Sequence, residues 1–147
     1  MPAKPDGMLA KGNRHQLAWT IVNLSSAPVW LAMILLPRSE VTRWMADRLV
    51  PLYMGLGAVY TGALAAGAIE SPEPPDFGKL ENVQKLLQNP SSMLAAWTHY
   101  IAFGLFVGRW IWETSLADGK PARLSLLLTW WAGPMGLTLF LARRRLA

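Results

Sequence analysis

The sequence has no cysteine, which excludes disulfides, thiolate metal sites and thioester chemistry. It has two histidines, His15 and His99, too few to complete a structural zinc site, and no metal is expected. Charge is scarce as well: only 16% of the 147 residues are charged, and they collect between long apolar blocks. No internal repeat accompanies those blocks, which argues against a transporter. The N-terminus lacks a small-residue cleavage site after a short apolar core, so the first block is expected as an uncleaved helix.

What is present is apolar: 52% of the residues are hydrophobic, arranged in four blocks. The pattern predicts an all-α polytopic membrane protein, with four transmembrane helices and a short amphipathic interfacial helix. The spans are placed at about 16–36, 49–69, 93–113 and 122–142, and the interfacial helix at about 77–88. Residues 1–15 form a mobile or interfacial tail, 16–142 one transmembrane domain, and 143–147 a basic tail. The net charge of +5 sits at block ends while the aromatics sit inside. That layout anchors a protein in a lipid bilayer and does not suit nucleic acid.

Several features punctuate the spans. Pro28 in span one frees a backbone carbonyl one turn earlier and predicts a kink. Residues 37–48, with Trp44 among Arg38, Arg43 and Arg48, read as an interfacial turn. In span two, Ala58, Gly62 and Ala66 at four-residue spacing predict close helix packing. Pro72, Pro74 and Pro75 forbid a regular helix at the start of the long connection. Beyond them Phe77, Leu80, Val83, Leu86 and Leu87 recur at helical spacing, so this helix lies on the membrane surface and covers the mouth between spans. Gly133-Pro134-Met135-Gly136 breaks or kinks span four. With four crossings, Lys4, Lys11, Arg14, Lys79, Lys85 and Arg143 to Arg145 share one face. Arg38, Arg43, Arg48, Lys120 and Arg123 share the other. The excess places both termini in the cytoplasm.

Depth brings the polar residues together. At about 1.5 Å per residue, Asn23 and His99 both lie roughly 10 Å from the same face, with Pro134 at ~12 Å and Tyr60 slightly deeper. A polar pocket is expected at that level, opening toward the long connection. His99 has three readings: a packing histidine, an acid or base, or an axial ligand to a tetrapyrrole metal. Trp97, Tyr100 and Trp110 suit a flat or polyene pigment and suit helix packing equally. Arg109 lies about 15 Å along the helix from His99. It either pairs with Glu113 four residues on or grips the polar end of a long isoprenoid ligand.

The third span carries a longer pattern. Trp97-Thr98-His99-Tyr100-Ile101-Ala102-Phe103 followed by Leu105-Phe106-Val107-Gly108-Arg109-Trp110 resembles the signature of the abscisic-acid-deficient-four-like family. Asn23 with Pro28 and Trp30, Pro51 with Tyr53, Phe77 with Leu80, and Gly133-Pro134 with Gly136 extend the likeness over most of residues 16–142. The resemblance implies a four-helix membrane protein connected with carotenoids. Plant members are associated with neoxanthin formation from violaxanthin, an epoxide-to-allene isomerisation that needs an acid and a base and no required cofactor. The family's aspartate is replaced here by Gly104, which creates Gly104-x-x-x-Gly108, a helix-packing motif.

Two functions are therefore expected to compete. One is carotenoid (xanthophyll) binding or isomerisation, with His99 as acid or base and Asn23, Tyr60, Trp97, Tyr100, Arg109 and Trp110 around the ligand. The other is a non-catalytic accessory subunit of a larger, photosynthetic pigment–protein complex, contacting its partners through Gly104-x-x-x-Gly108 and aromatic helix faces; a homo-oligomer is a further possible assembly. Either would reside in an inner or photosynthetic membrane.

Overall fold

The computed structural model describes residues 5–71 and 76–146, with side chains from residue 12 onward. Among these residues all regular structure is helical: α1 Pro5–Ser25, α2 Ala27–Leu35, α3 Glu40–Asp47, α4 Val50–Glu70, α5 Leu80–Gln88, α6 Pro90–Ala117, α7 Arg123–Ala132 and α8 Pro134–Leu146. The all-α expectation holds. Two stretches, Gly12–Leu35 and Val50–Glu70, are long and apolar enough to cross a membrane, against four expected. The backbone of α1 is already helical from Pro5, inside the expected tail. Pro72, Pro74, Pro75, Lys4 and Ala147 lie outside the described residues.

The chain divides into two compact units, Met1–Leu24 with Gly55–Tyr100 and Ser25–Met54 with Ile101–Ala147. In the first unit Asn89 ends α5 and caps α6, its Oδ1 accepting from the backbone N–H groups of Ser91 and Ser92 at 2.9 and 3.0 Å. Pro90 follows at the first helical position, where its missing N–H costs nothing. His15 Nε2 lies 3.0 Å from Ser91 Oγ and ties α1 to the start of α6. Of the expected small-residue series in α4, Ala58 and Gly62 are exposed within this chain and Ala66 is half-buried. The neighbouring pair Ala63 and Gly67 is buried instead, and a methyl on Gly67 would meet Ser92 Oγ at 2.7 Å. Helix α5 begins at Leu80, later than expected, because Asp76 holds the preceding turn by accepting from Gly78 N–H and Asn82 Nδ2.

In the second unit the core is Trp30, Met33, Leu49, Leu105, Ile111 and Leu126 with their neighbours. The break in span one falls at Ser26, and Pro28 sits in the first turn of α2, where it is tolerated. The interfacial turn contains a helix, α3. Ser39 caps it by accepting from Val41 N–H at 3.1 Å, and Glu40 complements its N-terminal dipole. The buried Thr42 hydroxyl donates to the carbonyls of Leu36 (2.6 Å) and Ala32 (3.2 Å), satisfying the end of α2. Trp112 Nε1 donates to Pro37 O at 2.9 Å, so α6 is bolted to that same turn.

Span four, expected over 122–142 with a break or kink at Gly133-Pro134, is a hairpin of two short helices. Gly133 adopts φ +36°, where glycine is favoured, and Pro134 starts the next helix. In a continuous helix Ser125 and Gly136 would stand roughly 16 Å apart. Here a methyl on Gly136 would collide with Thr129 N and Oγ1 and with Ser125 O. Arg144 Nε reaches Asp118 Oδ2 at 2.7 Å, back at the end of α6. Helices α7 and α8 therefore run antiparallel, about 15 and 20 Å long, short of a ~30 Å hydrocarbon core. The turn from α6 to α7 closes on Gly119 at φ +75°, with Lys120 N–H on Ser115 O and Gly119 N–H on Leu116 O, both 3.0 Å.

Candidate functional site

The third-span motif supplies the first wall of the site. On α6, Ser92, Ala95, Ala96 and His99 recur at three- and four-residue spacing and so share a face. On α4, Tyr60, Leu64 and Gly67 do the same. Between these faces lies a cavity of about 490 Å³, roofed by Phe77 and by Val83, Leu86 and Leu87 of α5. The volume is within the range of small-molecule sites, ~300–1,000 Å³. Its lining is mostly aliphatic, and the exceptions include Tyr60 and His99, whose rings stand 6.0 Å apart at 48°. A phenol and an imidazole against an apolar wall can give and take a proton on a ligand that brings its own polar group.

Asn23, expected in the same pocket, has another occupation. Its Nδ2 donates to Trp19 O and its Oδ1 accepts from Trp97 Nε1, both at 2.9 Å. That fixes Trp97 between Trp19 (5.1 Å between ring centroids) and Tyr100 (5.2 Å), forming a ladder of three stacked rings. Trp97 and Tyr100 thus form an aromatic face beside His99 on the same helix, and neither belongs to the cavity lining.

The remaining candidates lie in the second unit. Arg109 Nε binds Glu113 Oε1 at 2.7 Å, the pair its spacing suggested. Trp110 sets its edge against Phe140 at 5.5 Å and 89°. Gly108 is covered by the Trp30 indole, which leaves no room for a Cβ, whereas a Cβ on Gly104 would meet nothing within 4 Å. The close contact in Gly104-x-x-x-Gly108 is therefore made at one end, and by an aromatic ring rather than by a second backbone. Among the described residues no group of acidic or histidine side chains is arranged to hold a metal.

A family model described as ABA DEFICIENT 4-like matches residues 17–140. The chain belongs to that family. The match spans both walls of the cavity, its α5 roof and all but the end of the α7–α8 hairpin. Comparison with curated proteins gives no match, and neither does comparison with solved structures. In this ABA DEFICIENT 4-like chain the expected Tyr60 and His99 both line the cavity, and α5 borders it. Ser92 and Gly67 line it too, and their only signal in the sequence is their place beside the Asn89-Pro90 cap and in a glycine-rich helix.

Proposed function

We propose that the protein is a membrane-embedded carotenoid-handling protein that takes the ring end of a xanthophyll into the cavity between α4, α5 and α6. Tyr60 and His99 meet the ring's oxygen function there. The observation that carries this reading is the pairing of one phenol and one imidazole on the wall of a mostly apolar cavity. Its volume suits an end ring and the beginning of a polyene, leaving the rest of the molecule outside the cavity. Family membership supports the ligand class. For an epoxide-to-allene isomerisation, His99 takes a proton from carbon and that C–H pair becomes the new double bond. The epoxide C–O bond opens and Tyr60 supplies the proton to its oxygen. Atoms balance with no oxidant. No carboxylate stands at position 104, so the imidazole acts as base unaided by that group.

The test is gentle purification from the native membrane followed by pigment extraction and identification of co-purifying chains. A stoichiometric carotenoid is expected. A tetrapyrrole would move His99 to an axial-ligand role, and recovery only within a larger assembly would favour the accessory-subunit reading. A colourless, solitary protein would remove stable pigment binding.

The hairpin supports a different membrane arrangement from the four-span one. With α1–α2, α4 and α6 crossing and α7–α8 entering and returning, Arg143 to Arg145 join Arg38, Arg43, Arg48, Lys120 and Arg123. That face then holds the positive excess over Lys4, Lys11, Arg14, Lys79 and Lys85. The C-terminus is expected in the cytoplasm with the α2–α3 turn, and the N-terminus on the opposite face. The absence of native cysteine makes this simple to check. Single cysteines at Ser39 and Ala142 should react from the same side of sealed vesicles, and one at Asn13 from the other. Labelling of the Ala142 and Asn13 positions from one side would restore four crossings.

A further inference from the structure

We propose that the hollow between the α6–α7 turn and the end of α8 binds a phosphate ester anion, carried by an anionic phospholipid headgroup. The inference is independent of the carotenoid reading and uses none of its residues. The hollow measures about 500 Å³ and is bordered by Lys120, Arg143 and Arg144, with Asp118, Ser115 and Ser125 among its other walls. Three cations face one carboxylate. Asp118 is already engaged by Arg144, at 2.7 Å to Nε and 3.3 Å to Nη2. Lys120 and Arg143 have no carboxylate partner among the described residues, so positive charge is left over for a ligand.

Two further observations point into the same space. The Ser125 side chain is fully buried, and its hydroxyl has no hydrogen-bond partner among the described residues. A buried hydroxyl normally has a partner, and one left unmade on the wall of a cationic hollow marks where an acceptor fits. Ser125 also lies in the first turn of α7, whose Ala122 N-cap offers no side-chain cap. The first amides of that ten-residue helix therefore have no side-chain cap, and the helix dipole favours an anion there. Phe140, Pro121 and Ala122 supply an apolar border continuous with the hairpin. A free phosphate does not need that border, whereas the glycerol and first methylenes of a lipid do. Basic pockets between membrane helices bind lipid headgroups by this combination of charge and apolar wall.

The experiment uses the full chain, delipidated in an uncharged detergent. Phosphatidylglycerol, phosphatidylcholine and inorganic phosphate are titrated separately, and binding is read by native mass spectrometry and thermal shift. Phosphatidylglycerol should bind saturably at one molecule per chain, and neither phosphatidylcholine nor inorganic phosphate should displace it. Lys120→Gln with Arg143→Gln should weaken binding about thirtyfold, roughly fivefold for each basic residue. Ser125→Ala should weaken it further without lowering the melting temperature. Arg144 is left intact because it holds Asp118. Lys120→Gln alone, in an exposed turn, keeps the test available if the double variant misfolds. Displacement by inorganic phosphate at equal affinity would make this a free-anion site and overturn the lipid assignment. Phosphatidylglycerol binding indifferent to Lys120→Gln and Ser125→Ala would overturn the site itself.

Discussion

Gly136→Val should open the α7–α8 hairpin. Gly136 is buried, and the position a Cβ would take is already filled by the amide of Thr129, its hydroxyl and the carbonyl of Ser125. Two of these are backbone atoms of a regular helix and cannot rotate away. Thr129 Oγ1 is itself engaged, donating to Ser125 O at 2.7 Å. Overfilling a packed contact costs about 1–3 kcal/mol, and a backbone clash belongs at the upper end. For a chain of this size that is a fall in melting temperature of roughly 4–10 °C. Tryptophan fluorescence reports it directly, because Trp130 stacks on Trp30 at 6.3 Å and Trp131 lies exposed near the tip. The matched control is Gly104→Ala, where a methyl meets nothing, and it should leave the melting temperature within about 1 °C, the usual range for a substitution without new contacts. Equal melting temperatures for both variants would mean that α8 does not lie against α7.

That hairpin also marks where reading the sequence stops. The Gly133-Pro134 break was legible because both residues have local, steric reasons to interrupt a helix. The direction the chain takes afterwards is set by Gly136 fitting against Ser125 and by Arg144 finding Asp118, contacts between residues far apart in sequence. Composition cannot separate a kinked helix from a helical hairpin when both halves are equally apolar. The charge count depends on the same step, since the proposed arrangement assigns Arg143 to Arg145 to the other face. Helix α3 was missed for the opposite reason: its length is below what periodicity detects, and its signals are one serine cap and one buried threonine.

Of the residues that counting sets at one level, Tyr60 and His99 line the cavity, whereas Asn23 bonds Trp97 instead. Counting residues fixes a side chain's level along a helix and leaves its direction around the axis open. Trp97 and His99 are two positions apart and so point roughly 200° away from each other. An amide that bonds Trp97 therefore does not share a pocket with His99 at the same depth. Arg109 and Glu113 were legible because their four-residue spacing fixes both coordinates at once.

Ala96→Phe should empty the cavity while sparing the fold. Ala96 precedes His99 by one helical turn and lines the same space, yet it is exposed rather than packed. A benzyl group there projects into the cavity without meeting a core contact, so stability should change by no more than about 0.5 kcal/mol. Co-purified carotenoid should fall at least tenfold, a loss of about 1.4 kcal/mol, because the ring end and the new phenyl ring compete for one volume. His99→Ala makes the complementary change: the cavity grows, the imidazole is lost, and Tyr60 keeps its place. Under acid–base chemistry it should retain bound carotenoid within a few-fold while isomerisation drops by about 10²-fold or more, the usual contribution of a positioned base. A purely binding protein would show no isomerisation before or after, with Ala96→Phe still expelling the pigment. Full carotenoid content in Ala96→Phe would sink both versions, since no ligand that uses this cavity could tolerate the ring. The pair of variants thus separates occupancy from chemistry.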